Sequence, residues 1–220
     1  MIKASNTQAA ATSSEAVSAP ATIIAGVDEV GRGALFGPVV AGAVILDAST
    51  RLDLAALGVT DSKRLTAPRR AALVPHIQSQ AMAYALGMAT VHEIDRWNIL
   101  QASLLAMRRA IGRLAVTPEL CLVDGNQRIP QLAIPQQTVI KGDQLDVAIA
   151  AASILAKVWR DALIVRLDRR YPGYDLASNK GYGSARHREA IAKLGRSTQH
   201  RQSFKVAQQL SLLPESDCIP

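Results

Sequence analysis

Acidic residues stand near glycines or apolar runs at three separated places in this chain. Asp28 and Glu29 follow an apolar run and precede a glycine turn at 31–33, Asp124 ends a second apolar run, and Asp143 precedes a long alanine-rich stretch. Acidic side chains are unfavourable within strands, so their position at the ends of such runs points to a chemical role. Carboxylate oxygens are the ligands that Mg²⁺ prefers. The pattern therefore predicts that the three places meet in one metal site.

These acidic residues also have alternatives that the sequence leaves open. Asp28 and Glu29 are neighbours, and in a regular strand their side chains would point to opposite faces. Either Gly31 bends the chain so that both carboxylates reach the metals, or Glu29 is a weaker ligand. Asp143 and Asp146 both precede the alanine-rich stretch and are candidates for a helix N-cap, which is the role we favour for Asp146.

Positive charge is concentrated in the C-terminal third of the chain. The whole chain has a net charge of +7, whereas residues 157–205 contain 12 Lys and Arg against 4 Asp and Glu. A solvated helix face would explain part of this excess. A field of one sign beside an acidic metal site favours a polyanion such as a phosphate backbone as the partner.

Length and composition restrict the class of protein. The 220 residues suit one domain, and with two Phe and two Trp the core must consist of Ala, Val, Leu and Ile, as in α/β folds. No apolar run approaches the roughly 18 residues of a membrane span, and residues 1–20 lack the apolar segment of a secretory signal, so we expect a cytoplasmic protein that binds no membrane. Cys121 and Cys218 have no metal-like spacing, and we expect no disulfide between them.

Periodicity and turn residues place the elements around these sites. We expect a disordered leader at 1–21, one domain at 22–206 and a tail at 207–220. Strands are expected at about 22–27, 39–46, 81–90, 120–123 and 138–140, with helices after Thr66, from Trp97 for about 18 residues and at about 147–170. The first two strands are close enough to pair antiparallel, and helices and strands alternate later. This order predicts a mixed sheet with helices on its faces.

Seven motifs, in this order, resemble those of bacterial ribonuclease HII. They are residues 26–33 (GVDEVGRG), Asp61-Ser62-Lys63, Val123-Asp124-Gly125, Lys141-Gly142-Asp143, residues 149–158 (IAAASILAKV), Lys180-Gly181-Tyr182-Gly183 and residues 200–204 (HRQSF). The resemblance implies a single-domain α/β fold, the ribonuclease H-like mixed sheet flanked by helices, with a helical basic C-terminal segment. It also implies an endonuclease that hydrolyses the RNA strand of RNA–DNA hybrids. Such an enzyme would cut 5′ of single ribonucleotides in duplex DNA, leaving 3′-hydroxyl and 5′-phosphate ends, in ribonucleotide and RNA primer removal.

The resemblance also implies the residues of the site. The catalytic metal ligands would be Asp28, Glu29, Asp124 and Asp143, with Mg²⁺ or Mn²⁺ as the cofactor and two ions in the substrate complex. Substrate contacts would come from Gly31, Arg32 and Gly33 to a ribose 2′-hydroxyl, from Lys63 to a phosphate and from Tyr182 to the RNA-to-DNA junction. We expect Lys180 and Arg201 to contact the nucleic acid as well, and the protein to be a monomer. Three residues depart from the family pattern: Val30 replaces a usual alanine, Ala34 a usual proline, and Asp146 a common serine.

Two rival functions fit the sequence less well. Gly26 and Gly31 have the spacing of a nucleotide-binding P-loop, but Arg32 and Gly33 follow where Lys and Ser or Thr are required. A dinucleotide fingerprint also fails, because Gly31, Gly33 and Gly37 are spaced GxGxxxG. A metal-independent nucleic-acid-binding module would explain the basic third and leave the acidic residues unexplained. Such a module would keep its affinity in EDTA.

Overall fold

A mixed five-stranded sheet is the centre of the fold in the computed structural model, which describes residues 22–206. The strands are β1 (Ile24–Val30), β2 (Val39–Ile45), β3 (Ala83–Ala89), β4 (Leu120–Asp124) and β5 (Gln136–Val139), in the order β3-β2-β1-β4-β5. β1 pairs antiparallel with β2 and parallel with β4. The predicted mixed sheet and its antiparallel first pair are confirmed. The expected leader, 1–21, and tail, 207–220, lie outside the described residues.

Helices pack on both faces of this sheet. They are α1 (Ala48–Ala56), α2 (Ala67–Gln80), α3 (Val91–Ile111), α4 (Gly142–Leu145), α5 (Val147–Asp168), α6 (Leu176–Asn179) and α7 (Ala185–Leu194). Thr66 caps α2, and Asp146 caps α5 by accepting from two backbone N–H groups, both as predicted. Within residues 22–206, no helix has the length and apolar character needed to cross a bilayer.

The start of α3 differs from the prediction. This helix begins at Val91 rather than Trp97, because Thr90 and Glu93 form a capping box in which each side chain accepts from the other's backbone. Asn98 interrupts the helix with a φ of 71°, so the apolar periodicity after Trp97 describes the second part of a kinked helix.

α3 lies on one face of the sheet, and α2 and α5 lie on the other. A Cβ placed on Gly26 would come within 2.3 Å of the Ala148 backbone, and one on Gly42 within 2.4 Å of the Ala152 carbonyl oxygen. The backbone of α5 therefore rests almost directly on β1 and β2. Its alanines predicted this close approach.

β1 continues to Val30, beyond the predicted end near residue 27. Asp28 pairs with Gly42 and Glu29 with Ala41, because β2 extends far enough to form a ladder with both acidic residues. The two carboxylates therefore belong to the strand rather than to the turn that follows it.

The basic C-terminal segment is helical and packs against the glycine turn. A third apolar cluster contains Phe36, Ile164, Tyr174, Leu176, Ala190 and Ile191. Isolated β-bridges join Ala34 to Tyr182 and Phe36 to His200. The residues that follow the glycine turn are thus held by the basic segment.

Candidate active site

The sheet topology brings Asp28 and Asp124 to the same end of the sheet. β1 and β4 are parallel neighbours, and both residues lie near the carboxyl ends of these strands, where open α/β sheets place their ligands. Asp143 lies in α4, and the N–H of the preceding Gly142 donates to Oδ1 of Asp124 at 2.7 Å. The three acidic places of the sequence therefore converge.

The two carboxylates of β1, Asp28 and Glu29, lie close enough to each other and to Asp124 for their negative charges to repel. Burial raises the pKa of Asp28 well above its usual value, and the charges of Glu29 and Asp124 raise it further. Burial also raises the pKa of Glu29, where the charge of Arg32 opposes the rise and that of Asp124 adds to it. Crowded anions of this kind are relieved by a bound cation.

Asp143 joins these carboxylates from α4, outside the sheet, and is buried. Burial raises its pKa, the charge of Lys63 opposes the rise, and the charges of Asp61 and Asp124 add to it. Nζ of Lys63 lies 3.5 Å from Oδ2 of Asp143, although the Lys63 side chain is 82% exposed and that of Asp143 only 5%. Lys63 therefore reaches from the surface into the carboxylate group.

Two of the four carboxylates are paired with cations. Arg32 Nη1 lies 3.1 Å from Glu29 Oε1, and Lys63 pairs with Asp143. Over the described range 22–206, no three His, Cys, Asp or Glu side chains are gathered closely enough to form a ready metal centre. The donor set nevertheless fits Mg²⁺ or Mn²⁺, because its atoms are carboxylate oxygens, and burial together with neighbouring negative charge raises the pKa values of Asp28, Glu29 and Asp143.

A cleft of about 470 Å³ opens beside the carboxylates of β1. Its walls are residues 28–33, Ser62, Lys63, Ser153, Lys157 and Tyr182. Both Asp28 and Glu29 line it, although the sequence left open whether two neighbouring strand residues could reach one site. The structure thus brings together the glycine turn, Lys63 and Tyr182, which were predicted separately.

Tyr182 is held against the glycine turn by the backbone. The carbonyl oxygen of Gly181, the residue before it, accepts hydrogen bonds from the N–H groups of Leu35 and Phe36 at 2.8 and 3.2 Å. The Tyr182 ring centroid lies 5.3 Å from Lys157 Nζ, and 5.4 Å from the guanidinium carbon of a buried arginine of α5. The half-buried ring therefore forms one wall of the cleft beside two cations.

Three polar residues of α5 near the cleft were not predicted as site residues. Ser153 Oγ lies 2.9 Å from Ser62 Oγ in the interior, and Ser153 lines the cleft with Asp28. Lys157 also lines the cleft, and Arg160 lies under the glycine turn. Their spacing of four and three residues puts them on one face of α5, whose residues 147–160 are otherwise apolar. That polar stripe is the sequence feature from which these three residues could have been predicted to lie near the site.

Lys180 and Arg201 are placed differently from the expected substrate contacts. Arg201 is 1% exposed, and its guanidinium donates to the carbonyls of Gly31, Arg32 and Gly37. Nζ of Lys180 is bonded to its own loop at the carbonyl of Ala177. The donors of Arg201 therefore face the interior in this arrangement, which gives no support to its predicted contact with the nucleic acid.

The three departures from the family pattern have structural accounts. Ala34 is buried in the bridge to Tyr182 and donates its N–H to the Gly31 carbonyl at 3.3 Å, a bond that proline lacks. Val30 packs in a small apolar cluster. Asp146 caps α5 and pairs with Arg51 at 2.6 Å, so it serves the helix.

Known proteins similar to this chain agree with this geometry. The ribonuclease HII family model matches residues 25–207. Ribonuclease HII of Acaryochloris marina is 67% identical over 87% of this chain and 96% of that protein, and that of Trichodesmium erythraeum is 61% identical over 84% and 87%.

Solved structures show the same fold. The ribonuclease H2 of Pyrococcus horikoshii superposes with a TM-score of 0.71 at 27% identity, covering 84% of this chain and 95% of that one. A ribonuclease HIII solved with Mn²⁺ has a TM-score of 0.68 at 23% identity, over 83% of this chain and 67% of that one, and shares the fold. Ribonucleases of the H family use divalent metal ions. The matches along nearly the whole described chain, with the acidic cleft, show that this protein belongs to the ribonuclease HII family, endoribonucleases that degrade the RNA strand of RNA–DNA hybrids.

Proposed function

We propose that this chain cuts on the 5′ side of single ribonucleotides in duplex DNA, as well as within hybrids, and leaves 3′-hydroxyl and 5′-phosphate ends. The observation that carries the proposal is the cleft itself, where the carboxylates of Asp28 and Glu29, the glycine turn at 31–33 and the ring of Tyr182 meet. One wall has anionic groups for chemistry, and the others have groups that suit a sugar-phosphate strand.

Asp28, Glu29, Asp124 and Asp143 would hold Mg²⁺ or Mn²⁺. Two such ions would supply a metal-activated water and charge stabilisation for phosphodiester hydrolysis. Lys63 and Arg32 already neutralise Asp143 and Glu29. With cations held by the carboxylates, both side chains would be free to turn to the phosphates of the strand, and the exposure of Lys63 suits that role.

The turn and the ring would read the junction. A 2′-hydroxyl distinguishes RNA from DNA at a single position, and exposed Gly33 lets a strand approach the backbone of the turn because no side chain intervenes. The Tyr182 ring would stack on the next sugar, where deoxyribose has no hydroxyl to clash. Together the two contacts would define an RNA-to-DNA step.

The test is to map the cut on a labelled DNA duplex that carries one ribonucleotide, with Mg²⁺, Mn²⁺ or EDTA. We expect one cut on the 5′ side of the ribonucleotide with either metal, and none in EDTA. Cutting on the 3′ side would contradict the junction reading, and cutting in EDTA would contradict the metal site. Binding that is unchanged in EDTA and never followed by cutting would favour the rival binding module.

A further inference from the structure

Two arginines lie buried next to each other beneath the glycine turn. Arg160 is 0% exposed and Arg201 is 1% exposed. Burial lowers the pKa of both, and the charge of Arg160 helps to lower that of Arg201 to about 9. In the described part of the chain, neither forms a salt bridge. Burying two like charges is costly unless hydrogen bonds offset the loss of hydration, so their acceptors show what they stabilise.

All of the acceptors are backbone carbonyls of two loops. Arg201 donates from Nε to Gly37 at 3.1 Å, from Nη1 to Arg32 at 2.7 Å and from Nη2 to Gly31 at 2.7 Å. Arg160 donates from Nε to Pro38 at 3.1 Å, from Nη2 to Phe36 at 3.1 Å and from Nη1 to Lys180 at 2.9 Å. Five of the carbonyls belong to residues 31–38, and the sixth to the loop of Tyr182. The planar fork of a guanidinium can make such divergent bonds, whereas a lysine ammonium cannot.

The bonds of Arg201 fix the direction of two amides. In a trans peptide the C=O of one residue and the N–H of the next point in opposite directions. Because the carbonyls of Gly31 and Arg32 point towards Arg201, the N–H groups of Arg32 and Gly33 point away from it. Among the residues that the structure describes, neither N–H has a protein acceptor. Residues 31–33 line the cleft, so these two donors are available on its side of the turn.

We propose that Arg201 is a positioning residue that holds the amides of Arg32 and Gly33 towards a ribose 2′-hydroxyl, and that Arg160 joins this turn to the loop of Tyr182. The inference rests on the proposed function, because reading of the 2′-hydroxyl by this turn is part of it. Arg201 itself touches no substrate. Its guanidinium binds the carbonyl side of the turn, and the substrate contacts the amide side.

Lysine variants test this arrangement, since lysine keeps the charge but cannot serve three divergent carbonyls. Arg201→Lys and Arg160→Lys are compared with Arg109→Lys, a control on α3 whose arginine binds Glu93 and the Met88 carbonyl and has no contact with either loop. Each is made in an Asp124→Asn background to suppress cutting. Affinity is then measured for two DNA duplexes that differ by one ribonucleotide.

We expect Arg201→Lys to lower the preference for the ribonucleotide duplex about tenfold, the size of one lost hydrogen bond. Arg109→Lys should keep the same preference as the Asp124→Asn protein in which all three arginines are unchanged. If the parent protein discriminates and Arg201→Lys discriminates equally well, the inference is wrong.

Amide hydrogen exchange gives an independent measurement that does not involve substrate. The N–H groups of residues 35–37 donate to the carbonyls of Gly181 and Gln199. They should exchange at least about tenfold faster in Arg201→Lys and Arg160→Lys, and at an unchanged rate in Arg109→Lys. Unchanged exchange in Arg201→Lys overturns the inference. If the parent protein shows no ribonucleotide preference, the proposed function fails, and exchange alone decides whether Arg201 holds the turn. If Arg201→Lys does not fold, both measurements on Arg160→Lys decide.

Discussion

Nε2 of His187 lies 3.1 Å from Nε2 of His200, and the hydrogen bonds around the pair give it one direction. The N–H of Ser197 donates to Nδ1 of His200, so the proton of His200 is on Nε2 and is donated to His187. Nδ1 of His187 then donates to the carbonyl of Tyr182 at 2.9 Å. Two neutral imidazoles thus connect the interior to the loop of the cleft tyrosine.

This pair predicts a loss of stability in mild acid. Burial lowers the pKa of His187, and burial together with the charges of His187 and Arg196 lowers that of His200 to about 4. The unfolded chain therefore binds protons at a higher pH than the folded one, and the stabilisation present above about pH 6.5 is lost as the pH falls towards 4. For His200 the loss is at most about 3 kcal/mol.

Denaturant unfolding at several pH values measures this effect. His200→Asn should show a shallower decline of the unfolding free energy between pH 7 and 5 than the parent. His76→Asn, at an exposed position on α2, should follow the parent. Parallel curves for the parent and His200→Asn would exclude the pair as the cause.

Removal of single carboxylates should abolish turnover without loss of the fold. Asp28→Asn, Asp124→Asn and Asp143→Asn keep shape and remove charge, so each should bind hybrid while losing most of its cleavage rate in Mg²⁺. Asp146→Asn is the control, because this residue caps α5 and pairs with Arg51. Asparagine still caps the helix and loses only the charge of the pair with Arg51, so this variant should lose at most about 1 kcal/mol of stability and keep its rate. Near-normal rates in two of the three site variants would refute the shared metal site.

Substitution of the cleft tyrosine should alter the choice of substrate. Loss of a stacking contact costs about 1 to 3 kcal/mol, so Tyr182→Ala should slow cutting at a single ribonucleotide by roughly tenfold to a hundredfold. Cutting within a long hybrid should slow much less. Tyr84→Ala, at an exposed position on β3, should affect neither. Equal slowing on both substrates would show that Tyr182 does not read a junction.

The exposed and half-buried cations of the basic segment should set the salt dependence of binding. Neutralising one true phosphate contact lowers the slope of log affinity against log salt by about 1. Lys180→Gln, Arg186→Gln and Arg188→Gln are the informative variants, and Arg113→Gln, at the end of α3, is the control. If none of the three slopes changes, the positive charge is a solubilising face.

Much of the fold could be predicted because it depends on local patterns. The apolar runs gave the strands of the sheet, and Thr66 and Asp146 marked helix starts by side-chain capping. The end of β1 and the start of α3 could not be placed in the same way. The first depends on the register in which β1 pairs with β2, which the residues of β1 alone do not show, and the second on a capping box ahead of the apolar periodicity.

Residue type alone made Asp28 and Asp124 candidate site residues, and the parallel pairing of β1 with β4 brings them to the same end of the sheet. The buried position of Arg201 could not be predicted, because an arginine in a basic segment looks the same in sequence whether it faces phosphates or backbone carbonyls. Its role depends on where the carbonyls of a turn about 170 residues earlier point, as the bond to Gly31 shows. That information is in the tertiary structure and in no local pattern.

The contact of α5 with Gly26 and Gly42 makes two residues without side chains a constraint on catalysis. Alanine at either position would have to move the helix by about 1 Å to reach ordinary contact distances. Ser153, Lys157 and Arg160 are all carried by that helix, so they would shift together relative to the carboxylates of β1. A single added methyl group, remote from any substrate, would then change the width of the cleft. Substitution of either glycine should therefore reduce activity before it prevents folding.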